Sequence, residues 1–175
     1  MSQGQAAPEA GTQVEAARLL LATAEERGLT LAVAESLTGG MVSSTLVSVP
    51  GASAVVVGAV VAYATRIKTD VLQVDTELLA RTGPVNGDVA VQMAQGVARL
   101  MDADIGLATT GVAGPDPADG YRAGTVHIAV CSPWGAVKRE LHLDGDRAAV
   151  RQGATTAVLA LAVALLSAVE QGAQD

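Results

Sequence analysis

Apolar residues in this chain come in short unbroken runs, each followed by a stretch with helical spacing, and this alternation restricts the fold more than any other feature. "TLAVAE" (30–35) and "DIGLATTG" (104–111) are apolar on both sides, as strands covered on both faces are. The run "AVVVGAVVAYA" (54–64) is too β-branched and too continuous for anything but a strand, and is expected near the centre of a sheet. Between them, residues 12–27 place Val14, Ala17, Leu21 and Ala24 on one helical face, with Thr12 and Glu15 spaced as a capping box. Residues 38–47 read as a helix ending before Pro50-Gly51, 66–73 as a short helix and 77–80 as a single turn. A further helix at 89–101, capped by Asn86 or Asp88, aligns Val89, Met93, Val97 and Leu100. The segments 124–133 and 136–144 form a hairpin around Trp134-Gly135, and a long helix from Asp146 closes the chain with Val150, Ala154, Val158, Leu161 and Leu165 on one face.

Strands alternating with helices imply an α/β fold with a mostly parallel sheet covered on both faces, and the hairpin requires one antiparallel strand. A three-layer α/β/α sandwich is expected. Its core must be built from small side chains laid close together, because Phe is absent and aromatics are 2% of the 175 residues. One domain is expected, spanning 12–172 after a tail at 1–11 that lacks the basic start and apolar run of a signal peptide. The 54–64 run is about half the length of a membrane helix, so a cytoplasmic protein with no membrane partner is expected.

A net charge of -7 repels phosphate backbones and argues against nucleic acid as a partner. Cys131 is the only cysteine, and the two histidines, His127 and His142, form no cluster at metal-ligand spacing. Asp104, Asp116 and Asp119 match no oxygen-ligand loop, so no metal is expected.

In doubly wound sheets ligands sit beyond the carboxyl ends of the strands, where Ser36, Tyr63 and Thr109-Thr110-Gly111 all fall. Ser36 in "AESLTGG" stands at a strand-to-helix corner, and the amides of Thr38, Gly39 and Gly40 are candidate donors to an oxyanion or phosphate. Ser36 could equally be a helix cap with the glycines serving close packing. A serine nucleophile needs a base, and Lys68, one of two lysines, follows the strand ending in Tyr63. With Thr65 as cap, Lys68 lies in the first turn of a helix beside Arg66, where its charge is disfavoured and Tyr63 could relay its proton. A solvated lysine and a packing tyrosine are the plain alternative. The loop "TTGVAGPDPADG" offers the Thr109 and Thr110 hydroxyls with Gly111 and Gly114, while Arg147, or its neighbour Arg151, could meet an anion at the start of the last helix.

The motifs "AESLTGG", "VPGAS" with "GAVVAYATRIK", "TTGVAGP", "GTVHIAV" and "GDRAAVR", in this order and spacing, closely resemble the CinA C-terminal domain family, the nicotinamide mononucleotide deamidases. The resemblance covers nearly everything from Val14 to Val169. It implies a five-stranded mixed sheet and hydrolysis of nicotinamide mononucleotide to nicotinate mononucleotide and ammonia, without metal or organic cofactor, in pyridine nucleotide recycling. It assigns Ser36, Tyr63 and Lys68 as catalytic, and Thr38, Gly39, Gly40, Thr110, Gly111, Gly114 and Arg147 as substrate-binding. Leu37 stands where a cysteine or small residue often follows the serine, and "PDPADGYRAG" replaces a loop that is glycine-rich in many members. Many members also carry a large N-terminal pyrophosphatase-like domain, and this chain is expected to be a stand-alone single-domain member. A non-catalytic nucleotide- or partner-binding module tied to competence or DNA damage is the alternative the family's name suggests. A homo-oligomer is expected.

Overall fold

The computed structural model describes residues 10–172, so residues 1–9 of the expected tail lie outside the described residues. In chain order come α1 (Ala10–Glu26), β1 (Leu31–Glu35), α2 (Met41–Val47), a 3-10 turn (Ala52–Ala54), β2 (Val56–Val61), α3 (Thr65–Asp70), α4 (Thr76–Thr82), α5 (Gly87–Met101), β3 (Ile105–Gly111), β4 (Thr125–Ser132), β5 (Gly135–His142) and α6 (Arg147–Gly172). The five strands form one sheet in the order β2-β1-β3-β4-β5. β1 pairs in parallel with β2 and β3, whereas β4 runs antiparallel to both of its neighbours. Four strands therefore point one way and only β4 opposes them, as the alternation and the hairpin predict.

Each central strand sends alternate side chains to opposite layers. Leu31 and Val33 of β1, Ile105 and Leu107 of β3, and Val126, Ile128 and Val130 of β4 pack with α1, α2 and α6. Ala32, Ala34, Ala108, Ala129 and Cys131 face α4 and α5 instead. The sheet thus has a large-residue side and a small-residue side. On the small side α5 lies so close that a Cβ added at Gly106 would stand 2.0 Å from the Ala94 carbonyl oxygen. Backbone-to-backbone approach takes the place of the missing aromatic bulk on this side of the sheet.

Residues Arg147–Ala168 are long and apolar enough to cross a membrane by length and composition, a property that the 54–64 run lacks and α6 has. Here they pack on α1 and the sheet, and contribute Val150, Ala154, Val158, Leu159, Ala162 and Leu166 to the core.

Several local expectations are corrected. β2 is an edge strand with Val57 and Val61 half exposed, not the centre of the sheet. A continuous apolar run identifies a strand but not its rank: the fully buried β1 lies inside it and β3 takes the middle instead. α1 begins at Ala10, so Thr12 lies inside the helix and the Thr12/Glu15 box does not form its start. Asn86, not Asp88, caps α5 by accepting from the Asp88 amide, and Leu100 on that helix is exposed.

Candidate active site

Ser36 is the residue just past β1, and its amide donates to the Thr109 carbonyl at 3.0 Å, which fixes it against β3. Its hydroxyl accepts from Lys68 Nζ at 3.0 Å, across 32 positions of sequence. Lys68 is 1% exposed and donates also to the Ala62 carbonyl at 2.8 Å. Burial lowers its pKa to about 8, while the Asp119 carboxylate pulls in the opposite direction. Near neutral pH about a tenth of such a lysine is uncharged, enough to take a proton from the hydroxyl it touches.

The cause of that shift differs from the sequence expectation. Thr65 is the first helical residue, not the cap; Ala64 occupies the cap position and has no side-chain bond to offer. Arg66 turns outward to Asp70 at 3.5 Å. Removal of the ammonium from water, and not a neighbouring charge, is what disfavours the charged form.

The turn after Ser36 is built differently from a simple capped helix. Gly39 and Gly40 take left-handed φ values of 58° and 96°, and α2 starts only at Met41. Its capping carboxylate is Glu35, fully buried, which accepts from the amides of Gly40 (3.0 Å), Val42 (3.0 Å) and Ser43 (2.8 Å) and from the Ser43 hydroxyl (2.8 Å). Ser36 is thereby released from any capping duty. Gly39 closes the turn on the Ser36 carbonyl at 3.1 Å, and Thr38 shares a hydrogen bond with Thr109 between their hydroxyls at 2.8 Å.

Ser36 and Lys68 lie in a cavity of about 320 Å³ that also takes in Leu37, Tyr63, Thr110, Gly111, Gly114 and Arg147, with Asp116 and Asp119 on the loop wall. Thr38, Gly39 and Gly40 do not line it. The expected donors at Gly39 and Gly40 are spent on Ser36 and Glu35, which leaves the amides of Leu37 and Thr38 as the ones without a partner among the described residues. Leu37 lines the cavity while its side chain, 4% exposed, belongs to the core against α1, α2 and α6.

Arg147 opens α6 and donates to the Gly114 carbonyl at 2.8 Å and to the Tyr63 hydroxyl at 3.0 Å. Tyr63 is 63% exposed, and among the described residues no hydrogen bond joins it to Ser36 or Lys68. In this arrangement it braces the arginine. The Thr110 hydroxyl is committed to the Pro84 carbonyl at 2.8 Å, so it offers a ligand only its acceptor side. Arg151 turns from the cavity to the Leu37 and Thr38 carbonyls. Two residues of the site, Glu35 and Asp119, were not expected there from the sequence, although a glutamate ending the otherwise apolar "TLAVAE" was a signal for the first.

These elements define an α/β/α domain that sets a serine against a buried lysine at the carboxyl ends of its parallel strands. The chain belongs to the CinA family, its residues 13–166 matching the CinA C-terminal domain. A CinA-like protein of Frankia casuarinae is 46% identical over 142 residues, which are 81% of this chain and 33% of that protein. The chain spans about a third of the length of the curated relatives it matches. The crystal structure of competence/damage inducible protein CihA from Agrobacterium tumefaciens superposes with a TM-score of 0.85 at 32% identity, covering 94% of this chain and 99% of the other. A CinA superfamily protein from Klebsiella pneumoniae gives 0.86 at 30% identity, covering 89% and 98%.

Proposed function

We propose that this chain is a nicotinamide-nucleotide amidohydrolase that converts nicotinamide mononucleotide to nicotinate mononucleotide and ammonia. The observation that carries this reading is the 3.0 Å contact between Lys68 Nζ and Ser36 Oγ on a lysine withdrawn from solvent. Neutral Lys68 takes the hydroxyl proton as Ser36 Oγ attacks the carboxamide carbon. The amide of Leu37, the residue after the serine that lines the cavity, steadies the oxyanion, and the lysine returns its proton to the departing ammonia. Water, deprotonated by the same lysine, then cleaves the acyl ester and frees Ser36.

Arg147 and the glycine loop at Gly111 and Gly114 suit the phosphate and ribose. Asp116 and Asp119 suit the positive charge of the pyridinium ring. Binding energy from the phosphate end is used to orient the amide, so free nicotinamide should be a poor substrate. The chemistry requires no metal or organic cofactor.

The test is ammonia release from nicotinamide mononucleotide by the parent chain and by Ser36→Ala and Lys68→Ala variants whose folding is checked by circular dichroism. Release by the parent, lost in both folded variants, supports the assignment. Binding of the mononucleotide without ammonia release would overturn it and leave a binding module.

A further inference from the structure

Arg147 and Arg151 stand one turn apart on α6 and serve different ends. Arg151 passes behind the turn that carries Ser36, where Nε donates to the Leu37 carbonyl at 3.1 Å and Nη2 to the Thr38 carbonyl at 2.8 Å. For the Leu37 carbonyl it is the sole partner among the described residues. In a trans peptide the N–H points opposite the C=O, so fixing these two carbonyls fixes the directions of the Thr38 and Gly39 amides. The Gly39 amide in turn closes on the Ser36 carbonyl at 3.1 Å and thereby fixes the opposite end of that peptide, the Leu37 amide, which is unpartnered among the described residues on a residue that lines the cavity. A guanidinium on a carbonyl also polarises the peptide and makes its N–H a stronger donor.

We propose that Arg151 is a positioning residue: by gripping the Leu37 and Thr38 carbonyls it presets the Ser36 turn, and through the Gly39 closure the Leu37 amide, for charge that develops on a reacting oxygen. It touches no reacting atom. The proposal rests on Ser36 being a nucleophile, as in the proposed amide hydrolysis, but not on the identity of the substrate. Other members of the turn, such as Glu35, hold it from the α2 side, so the arginine supplies what is otherwise an unsupported flank.

Arg151 borders a shallow depression of about 450 Å³ together with Gly39 and Gly40, open enough for a small ion to replace its head group. The experiment follows Ser36 with a fluorophosphonate probe: Oγ bonds to phosphorus, fluoride leaves, and the serine proton passes to Lys68. Arg151→Ala is expected to slow this labelling about 100-fold, the cost of a slightly misplaced reacting group. The kcat for amide hydrolysis should fall in step, with KM within threefold. Guanidinium chloride at tens of millimolar should restore at least tenfold, where urea or sodium chloride at equal concentration does not. Arg151→Lys, with one ammonium for two carbonyls, should stay slow.

Labelling of Arg151→Ala at the parent rate would overturn the proposal, and so would a loss confined to KM, which would make Arg151 a substrate ligand. Should the alanine variant fail to fold, Arg151→Gln is judged by the same two outcomes. A parent that labels at Ser36 yet hydrolyses no mononucleotide would sink the substrate reading while leaving this one standing. A parent that never labels at Ser36 would overturn both.

Discussion

The carbonyl of Ala62, one residue past the end of β2, accepts a hydrogen bond from Lys68 Nζ at 2.8 Å, while the same nitrogen lies 3.0 Å from Ser36 Oγ. An ammonium has three donors, and an uncharged amine has two and a lone pair. When Lys68 loses its proton, one hydrogen remains on Ala62 and the lone pair is free to swing to the serine hydroxyl. A backbone carbonyl therefore aims the base, a task for which no side chain is used.

Activity should follow the uncharged lysine. With its pKa near 8, kcat/KM is expected to climb about tenfold per pH unit below that value and to level off above it. Asp119→Asn removes the carboxylate that favours the charged form, so the ascending limb should move to lower pH. A pH profile of both proteins checks this, and a limb that moves to higher pH would refute the assigned role of Asp119.

The same lysine is a liability to the fold. Its folded pKa of about 8 lies below the ordinary 10.5, so the unfolded chain holds the proton more tightly. Stability is reduced in full below pH 8 and recovers as pH rises from 8 to 10.5. Lys68→Met should therefore abolish amide hydrolysis at least 1,000-fold yet stabilise the folded state at pH 7 by about 1–3 kcal/mol. Thermal unfolding should show Tm higher by a few degrees, with the difference shrinking at pH 10.

Glu35 presents the opposite balance. Four donors converge on its buried carboxylate, and Glu35→Ala leaves them unsatisfied, at a cost of about 2–4 kcal/mol. Glu35→Gln keeps one acceptor oxygen but brings an amide hydrogen against the remaining donors, and should cost about 1–2 kcal/mol. Urea unfolding of the three proteins orders them.

Arg147→Ala is expected to raise KM for the mononucleotide at least tenfold with kcat within threefold, the mark of an interaction equal in ground and transition states. Tyr63→Phe removes only the acceptor for that arginine and should lower kcat less than tenfold. A 1,000-fold loss of kcat in Tyr63→Phe, measured by steady-state kinetics, would return the tyrosine to the proton path.

The layers and the place of the site were legible because period and burial are local: "TLAVAE" and "DIGLATTG" announce buried strands, and the residues directly after a strand lie at its carboxyl end. The pairing of Ser36 with Lys68 could be suspected from one scarce lysine after a strand, but not preferred, since 32 residues separate them and reach depends on strand order. Strand order was the weak point: nothing within residues 54–64 says whether a neighbour lies on one side or two. That the Gly39 and Gly40 amides are already bonded was hidden for a related reason. Two glycines look free in sequence, and only the folded turn shows that a carboxylate from the preceding strand has claimed the second.

Because β2 is bounded on one side only, the two halves of the site have unequal protection. Ser36 hangs from a strand locked between two others; Lys68 comes after a border strand that can fray while the rest of the sheet persists. Heat or mild denaturant should therefore separate base from nucleophile before the domain melts. Catalysis then has a lower temperature ceiling than the fold that carries it, and amides of β2 and α3 should exchange their hydrogens ahead of those in β1.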